Sequence, residues 1–446
     1  MRVEGRRKVG GRRAGAGMLT PLIGVALLGG TLVGGGALVS AAPAAAANSA
    51  ACAPSPKVTA SQAFSHIGVS AKTITVGNVS ILSGPVPGLF QGAPIGVEAY
   101  FDSINAKGGV HGRKLLVDSK DDNFNGEQNE LETQNAIKSD FAMVGSFSLF
   151  DNYGCKALAA NPSVPDVSVT IDPSTNALAN NFSTAPSTVG LQLGPLEYYK
   201  KHFPKDTRVG TIVSNVASAE AQWAGQSAAL KHVGYKIVYV RNVGPLESDF
   251  TTDVINMRKD GVTAVDLSAL DWQVAAIFMQ NAAAQNWHPG LIFSFGPVYA
   301  DQFIAHAGGP AVTNGIQIGQ SQALYLGQDA ANLPADRAFL KYVKAVNPSW
   351  TPDLYTLFGW TSAALFVQAL KAIGPNPTRG ALLNQLKKVT SFNAGGLLGP
   401  VNPAQKKPTG CFVTLQIVNG QYQRVDPKTK GFDCHSTFFY APKSGS

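Results

Sequence analysis

The sequence predicts an α/β protein built from two doubly wound, Rossmann-like lobes. Three observations support this fold class: the chain without its first 47 residues is still about 400 residues long, strands and helices alternate along it, and the alternation occurs in two series. About 400 residues are too many for one hydrophobic core, so two lobes are expected. Alternating strands and helices predict parallel sheets with helices on both faces.

The first 47 residues are typical of a signal peptide and are therefore set apart from the fold. Basic side chains precede an uncharged apolar run from Met18 to Val39, and small residues between Ala41 and Ala47 offer cleavage sites. We expect cleavage near Ala47. An apolar run of this length that is not cut could instead serve as a membrane anchor, so that alternative stays open.

Most of the positive charge of the chain lies in this leader. The formal net charge of +8 falls to about +3 once the predicted signal peptide is removed. Because no cluster of Lys and Arg with interleaved aromatic residues follows, nucleic-acid binding is not expected. From Asn48 onward no segment is long and apolar enough to cross a membrane, so the exported part is expected to be soluble.

Four cysteines follow the predicted signal peptide, namely Cys52, Cys155, Cys411 and Cys434. An even number of cysteines in an exported protein favours disulfides. Cys411 and Cys434 flank a hairpin-like segment and are expected to pair, which leaves Cys52 for Cys155. Lipidation of Cys52 is the alternative, although it would leave Cys155 unpaired. No C-x-x-C or H-x-x-x-H spacing occurs, so neither a metal site nor a cofactor is expected.

The first series of elements follows a Ser/Ala/Pro-rich leader, residues 48–71, which is predicted to be extended. Short β-branched runs then alternate with segments of helical period that end at glycines. The predicted order is strand, helix, strand, helix and strand, in the segments TITVGNVSIL, APIGVEAYFDSINAKGG, RKLLVDSKDD, GEQNELETQNAIKSD and FAMVGSFS. Ligands of such sheets bind outside the carboxyl ends of the strands, so the loops after these strands are candidate site segments.

A second series predicts a second α/β sheet. It opens with the predicted helix LQLGPLEYYKKHF, and its strands are RVGTIVSN, KIVYVRNV, AVDLSAL and LIFSFG, with helices between them. Three later helices, which need a sheet to cover, are PADRAFLKYVKAV, LYTLFGWTSAALFVQALKAI and TRGALLNQLKKV. The last part of the chain is strand-rich and is expected to add a hairpin to the second lobe.

Five sequence blocks occur in the order and spacing of a known protein family. The blocks are ITVGNVSILSGP, INAKGGVHGRKLLVDSKDD, SDFAMVGSFS, DFTTDVINMRKDGVTAVDLSAL and SFNAGGLLGPVN. Together they resemble the extracytoplasmic type I substrate-binding proteins of ABC importers, in particular the branched-chain amino-acid-binding, leucine-binding-protein-like branch. The second block is the most specific, and the resemblance covers most of the chain after the signal peptide.

The resemblance implies a type I periplasmic-binding-protein fold, in which three hinge crossings join the lobes. The crossings are expected near Ser183 to Ser187, near Ile316 to Gln320 and near Leu397 to Pro400. Lobe 1 then comprises residues 72–187 and 320–396, and lobe 2 comprises residues 188–319 and 397–446. Several short connectors would let the lobes close on a ligand, and a transport partner would recognise the closed state.

The resemblance also implies ligand-binding positions in lobe 1, at the ends of its strands and near the hinge. These positions are Ser83, Gly84, Leu89, Phe90, Ser146, Phe147, Ser148 and Tyr355. The hydroxyls of Ser146 and Ser148 are expected to hold a ligand carboxylate or carbonyl. A helix cap is the alternative role for both serines. Trp360, on the same predicted helix as Tyr355, is expected to pack in the core.

In lobe 2, three loops after strands are expected to face the first lobe. Their candidate ligand-binding residues are Ala219, Glu220, Leu270, Asp271, Trp272, Val298 and Tyr299. The amino-acid binders of the family commonly place an acid where this chain has Val298, and that acid holds the ligand ammonium. Either Asp271 or Glu220 replaces the missing acid, or the ligand is not an amino acid, because a buried ammonium without an anion is costly. The second possibility is favoured.

The resemblance and the motifs together indicate a binding protein and not an enzyme. No G-x-S-x-G, H-E-x-x-H or phosphate-binding loop occurs, and the histidines are scattered singly. The predicted function is capture of a small carboxylate, amide or amino-acid-like molecule by an exported monomer that serves an ABC permease in the membrane. A ligand-sensing receptor that acts on a signalling partner is the alternative, because fold alone does not fix function.

Overall fold

The computed structural model describes Cys52 and residues 56–86, 88–186, 189–244 and 246–441. Outside the described residues lie the predicted signal peptide with its cleavage site, residues 48–51 and 53–55 of the leader, and Ser187 at the predicted first crossing.

The strands of the described residues form two main sheets and one short ribbon. In chain order they are β1 (Thr73–Ser80), β2 (Lys114–Asp121), β3 (Met143–Val144), β4 (Asp166–Val167), β5 (Gly190–Gln192), β6 (Arg208–Ser214), β7 (Lys236–Val243), β8 (Ala264–Asp266), β9 (Leu291–Ser294), β10 (Gln317–Gln320), β11 (Val413–Val418), β12 (Gln421–Asp426) and β13 (Phe438–Tyr440). The first sheet has the order β2-β1-β3-β4, and all of its strands are parallel. It is the sheet of lobe 1.

The helices cover these sheets and connect their strands. In chain order they are α1 (Ala60–Ala63), α2 (Gly92–Asn105), α3 (Gly126–Ser139), α4 (Asp151–Ala160), α5 (Pro173–Ala177), α6 (Leu193–His202), α7 (Ala217–Val233), α8 (Thr251–Lys259), α9 (Trp272–Ala284), α10 (Phe303–His306), α11 (Pro310–Thr313), α12 (Pro334–Val346), α13 (Leu354–Ala372) and α14 (Arg379–Leu386). Helix α13 is buried over almost its whole length, as expected for a helix that is apolar on all sides.

Two glycines let α13 pack tightly against α2, which brings a late part of the chain into lobe 1. A Cβ at Gly96 would lie 2.0 Å from the carbonyl oxygen of Thr356, and one at Gly359 would lie 2.0 Å from that of Ala93. Only residues without a side chain allow this approach. The contact fixes the first turn of α13, and with it Tyr355, beside the carboxyl ends of β1 and β3.

The second sheet has the order β12-β11-β10-β9-β8-β6-β7 and belongs to lobe 2. Its strands β6 to β10 run parallel, whereas β11 and β12 add an antiparallel hairpin at the β10 edge. The strand-rich C-terminal segment was predicted to add such a hairpin. The final strand β13 leaves this sheet and pairs with β5, so that a two-stranded ribbon follows the first crossing.

The segments that join the lobes are hydrogen-bonded to one another. Ala323 N donates to Leu397 O at 2.9 Å, and Gly399 N donates to Ser321 O at 2.8 Å, so the second and third crossings run side by side. At the first crossing, the hydroxyl of Thr184 lies 3.1 Å from that of Thr361 in α13.

Three predicted elements differ from the structure. The segment FAMVGSFS was predicted as one strand, but only Met143 and Val144 pair as β3, because Gly145 turns the chain with a φ of 67°. The segment LQLGPLEYYKKHF begins as strand β5, since β13 supplies it with a partner. The leader, predicted to be extended, contains the one-turn helix α1, which Thr59 caps through a hydrogen bond to the backbone of Gln62.

Both predicted disulfides are present, Cys52–Cys155 and Cys411–Cys434. The first attaches the leader to α4, and the structure therefore favours the disulfide over lipidation of Cys52. Among the described helices, none has the length and apolar character that a membrane crossing requires.

Candidate ligand cavity between the lobes

A cavity of about 330 Å³ lies between the lobes and is lined by residues of both lobes and of all three crossing segments. Lobe 1 contributes loops that follow β1, β3 and β4, and lobe 2 contributes loops that follow β6, β8 and β9. The cavity is therefore at the carboxyl ends of the parallel strands, where sheets of this kind bind their ligands. Its volume is roughly twice that of a 150 Å³ cavity that holds benzene, so it has room for about a dozen non-hydrogen atoms.

Four aromatic rings from lobe 1 form one wall of this cavity. The ring centroid of Phe90 lies 4.7 Å from that of Phe147 and 4.4 Å from that of Tyr355, in edge-to-face arrangements. Phe147 also contacts Tyr355 at 4.9 Å and Phe358 at 5.7 Å. Such packing stabilises the rings in place and presents a rigid apolar surface.

A hydrogen bond across the cavity joins the two lobes. The hydroxyl of Tyr355, in the first turn of α13, donates to Oδ2 of Asp271 at 2.8 Å, while Oδ1 of Asp271 caps α9 by accepting from Gln273 N at 3.2 Å. Burial raises the pKa of Asp271 to about 7. We call this pair, Tyr355 and Asp271, the clasp, because it connects the lobes directly and both residues line the cavity.

Among the described lining residues, Asp271 is the only Asp or Glu, and none is Lys, Arg or His. Several helices that begin at the cavity hold their own aspartate as a cap: Asp172 on α5, Asp271 on α9 and Asp353 on α13. The N-termini of these three helices, which otherwise attract anions, are therefore occupied. Helices α6 and α7 also begin at the cavity, and neither N-terminus has a side-chain cap.

Two buried polar atoms in the lining have no hydrogen-bond partner among the described residues. Oε1 of Gln320, a residue 5% exposed, is unpaired, whereas its Nε2 donates to the carbonyl oxygens of Gln322 and Ala323. The hydroxyl of Thr170, a residue 4% exposed, is also unpaired. Unpaired buried polar groups are costly, and because both atoms are closed off from solvent, a ligand or a water molecule could satisfy them only after neighbouring side chains move.

Seven of the predicted site residues line the cavity. They are Leu89, Phe90, Phe147, Ala219, Leu270, Asp271 and Tyr355. Trp360 instead packs in lobe 1 between Tyr100 and Phe339, as expected for a core residue. The seven residues come from both lobes, and the structure brings them to one cavity, although their role in ligand binding stays a prediction.

The predicted residues Ser83, Gly84, Ser146 and Ser148 do not line this cavity. Ser83 is exposed and donates to the carboxylate of Asp121, and Gly84 lies in the same turn with a φ of 118°. Ser146 Oγ accepts from Val79 N at 3.1 Å, and Ser148 Oγ donates to Asp122 at 2.5 Å. These bonds engage both hydroxyls within lobe 1, and Ser148 Oγ also accepts from Phe150 N at the start of α4, in keeping with the alternative role as a cap. Ligand binding by the two serines stays a prediction.

Four predicted residues of lobe 2 also lie outside the lining: Glu220, Trp272, Val298 and Tyr299. Glu220 faces Asn242 at 3.4 Å, and the Trp272 ring packs against His306. Val298 and Tyr299 are fully buried, with the Tyr299 ring between Tyr325 and Tyr422. The loop turns at Gly296, whose φ is 91°, so that Phe295, Gly296 and Pro297 reach the cavity in their place.

Several lining residues were missed by the sequence analysis, notably Thr170, Gln320, Phe358 and Phe438. Phe358 could have been found, because it lies three residues after Tyr355 on one helix and thus on the same face. Gln320 and Phe438 gave no local signal, since their place depends on contacts with distant parts of the chain. Among the residues that the structure describes, no group of His, Cys, Asp or Glu is arranged to hold a metal ion.

Comparisons with known proteins agree with this architecture. A family model described as "Periplasmic binding protein" matches residues 73–421. The Leu/Ile/Val-binding protein homolog 1 of Brucella suis is 25% identical over 303 residues, which are 65% of this chain and 76% of the relative.

Two solved structures share the fold at low sequence identity. One is a fatty acid ABC transporter substrate-binding protein from Thermomonospora curvata, with a TM-score of 0.70, 19% identity and coverage of 82% of this chain and 94% of that chain. The other is a branched chain amino acid ABC transporter protein from Thermus thermophilus with bound valine, with a TM-score of 0.69, 16% identity and coverage of 82% and 97%. They confirm the predicted type I periplasmic-binding-protein fold.

Proposed function

The chain belongs to the periplasmic binding protein family, and from that premise we propose that it captures an uncharged, largely apolar small molecule between its lobes for an ABC importer. Members of this family are exported binding proteins, not enzymes. We expect the protein to act as a monomer that delivers its ligand to an ABC permease in the membrane. We infer the ligand class from the lining of the cavity. Among the described lining residues, Asp271 is the one Asp or Glu, and no Lys, Arg or His occurs.

A zwitterionic amino acid fits this lining poorly. Its carboxylate would find no cation among the described lining residues, and a buried charge without a partner is strongly unfavourable. Its ammonium could meet only Asp271, whose carboxylate is already engaged by Tyr355 and by the backbone of α9. Because burial also raises the pKa of Asp271 to about 7, this acid is only partly ionised at neutral pH.

A simple carboxylate is also disfavoured. The N-terminus of α7 at the cavity has no side-chain cap, but Glu220 in its first turn already places a negative charge there. No Lys, Arg or His among the described lining residues can pair with a ligand carboxylate. An amide has no net charge and avoids this cost, while its N–H and its carbonyl oxygen can pair with neutral polar side chains of the lining.

The ligand class can be tested with three compounds that share one alkyl chain: hexanamide, hexanoate and norleucine. With all three compounds at the same concentration, we expect hexanamide to raise the free energy of unfolding of the protein most strongly. If that concentration is 100 times the Kd of hexanamide, the increase should be about 2.7 kcal/mol. Thermal and urea unfolding at pH 7 measure this effect. A larger stabilisation by norleucine or by hexanoate would overturn the proposed ligand class.

A pair of variants on α7 tests the location of the site. Ala221 lines the cavity, whereas Ala224, one turn further along the helix, is exposed to solvent. Ala221→Trp is expected to fill the cavity and to abolish the stabilisation by ligand, while Ala224→Trp should bind normally. Equal binding by both variants would place the ligand outside this cavity.

A further inference from the structure

The wall of the cavity next to the first crossing is made by a part of the chain that lies beyond the family match. The family model ends at residue 421, but Phe438 of β13 lines the cavity together with Leu191 and Gln192 of its partner strand β5. We call β5 and β13 with their side chains the C-terminal ribbon. Strand β13 lies outside the residues that the family model matches, whereas its partner β5 lies within them.

The C-terminal ribbon is held in place by several independent contacts. The disulfide Cys411–Cys434 closes the loop that precedes β13. Next to it, Phe412 and Asp433 exchange two backbone hydrogen bonds of 2.8 Å. Leu193 N donates to Thr437 O at 3.0 Å, and Ala441 N donates to Val189 O at 2.8 Å, on either side of the β5–β13 pairing. The ribbon is thus a fixed wall.

The side chains of β13 alternate in their environment. Phe439 stacks on His232 at 4.6 Å and packs with the apolar residues of lobe 2. Phe438 turns to the other face, where its ring lies against Gly190: a Cβ at that glycine would be 2.6 Å from the ring. Tyr440 follows on the same face as Phe438 and is 53% exposed, outside the cavity lining.

The surroundings of Phe438 in the cavity are uncharged. The described lining residues in β5 and just before the disulfide loop are Gly190, Leu191, Gln192, Pro408 and Thr409, and Thr409 lies two residues before Cys411 of the disulfide. This part of the cavity offers apolar surface with no ionisable group among those residues. It is suited to an alkyl or aryl group and not to a polar head.

We propose that the C-terminal ribbon forms a subsite for the apolar tail of the ligand, and that Phe438 sets the length of the tail that the cavity accepts. This inference rests on the proposed function, since it assigns one wall of the same cavity. It names a substrate class: molecules with an uncharged amide-like head and an extended apolar tail, longer than the side chain of a branched-chain amino acid.

Straight-chain primary amides from butanamide to dodecanamide provide the test, with affinities measured by isothermal titration calorimetry on the full chain. Each added carbon should strengthen binding by about threefold to fourfold until the tail reaches Phe438, after which affinity falls. Phe438→Ala is expected to move the optimal length upward by two or more carbons, and Phe438→Trp to move it downward. Phe439→Leu, a change on the opposite face of the same strand, where the ring stacks on His232, should keep the wild-type optimum.

The possible outcomes separate the two proposals. If amides bind but all of these proteins share one optimal length, Phe438 does not limit the tail and the subsite is wrong. If no amide binds to the wild-type protein, the proposed ligand class fails and the subsite with it. Phe438→Leu provides a second test if the alanine variant misfolds, because it keeps an apolar side chain on β13. It should give an intermediate optimal length if the proposal is right.

Discussion

Tyr355→Phe is expected to weaken ligand binding about 10-fold to 100-fold. The change removes the hydroxyl that reaches from lobe 1 to Asp271 of lobe 2 at 2.8 Å, and leaving a buried acceptor without its partner costs about 1–3 kcal/mol. Without this bond the closed state is less populated. The apparent affinity for the ligand falls by the same factor as that population, so the effect should appear as a higher Kd. Calorimetric titration with the best amide of the series measures it.

Tyr239→Phe is the matched control for this variant. The hydroxyl of Tyr239 donates to Oδ1 of Asp253 at 2.7 Å, so the same kind of bond is lost, but within lobe 2 and away from the cavity lining. This control should lower stability and leave the Kd unchanged. Asp271→Asn should retain most of the affinity, because asparagine also caps helices and its carbonyl oxygen can accept from Tyr355. Equal Kd values for Tyr355→Phe and wild type would show that the clasp does not contribute to closure.

The class of fold could be predicted because its signals are local. The strand KIVYVRNV and the helix PADRAFLKYVKAV have the predicted bounds in the structure, as β7 and α12, since β-branched alternation and helical period are properties of short windows. The short strands β3 and β4 were harder to predict. Each has only two residues, and the pairing with β1 and with each other defines them.

The cavity could be predicted only in part. Phe90, Phe147, Asp271 and Tyr355 could be named because the family resemblance implies cleft positions after the strands and near the hinge. Ser148 was named in the same way, but the buried carboxylate of Asp122 accepts its hydroxyl, and no local pattern announces that pairing. Phe438 depended on the pairing of β13 with β5, which lie far apart in the chain.

The prediction with the largest expected effect on stability concerns Asp336 in the first turn of α12. Its side chain is fully buried, and neither carboxylate oxygen has a hydrogen-bond partner among the described residues. Burial, with a smaller contribution from the charge of Asp329, raises the pKa of Asp336 from 3.8 to about 7. The folded protein therefore holds a proton between about pH 4 and pH 7 that the unfolded chain releases.

From this difference in proton binding, the free energy of unfolding should fall as the pH rises from about 4 to about 7 and then level off. The contribution of Asp336 can reach about 4 kcal/mol, because each pKa unit corresponds to about 1.4 kcal/mol. Asp151 and Asp271, whose pKa values burial also raises to about 7, act in the same direction. The protein should thus be more stable at pH 5 than at pH 8, which urea unfolding measures.

Asp336→Asn isolates the contribution of this one carboxyl, because the amide does not ionise. The variant should lose less stability than the wild type between pH 5 and pH 8, whereas Asp301→Asn, a change at an exposed aspartate, should follow the wild-type curve. Parallel curves for Asp336→Asn and wild type would mean that the carboxyl is ionised in the folded protein and stabilised by water.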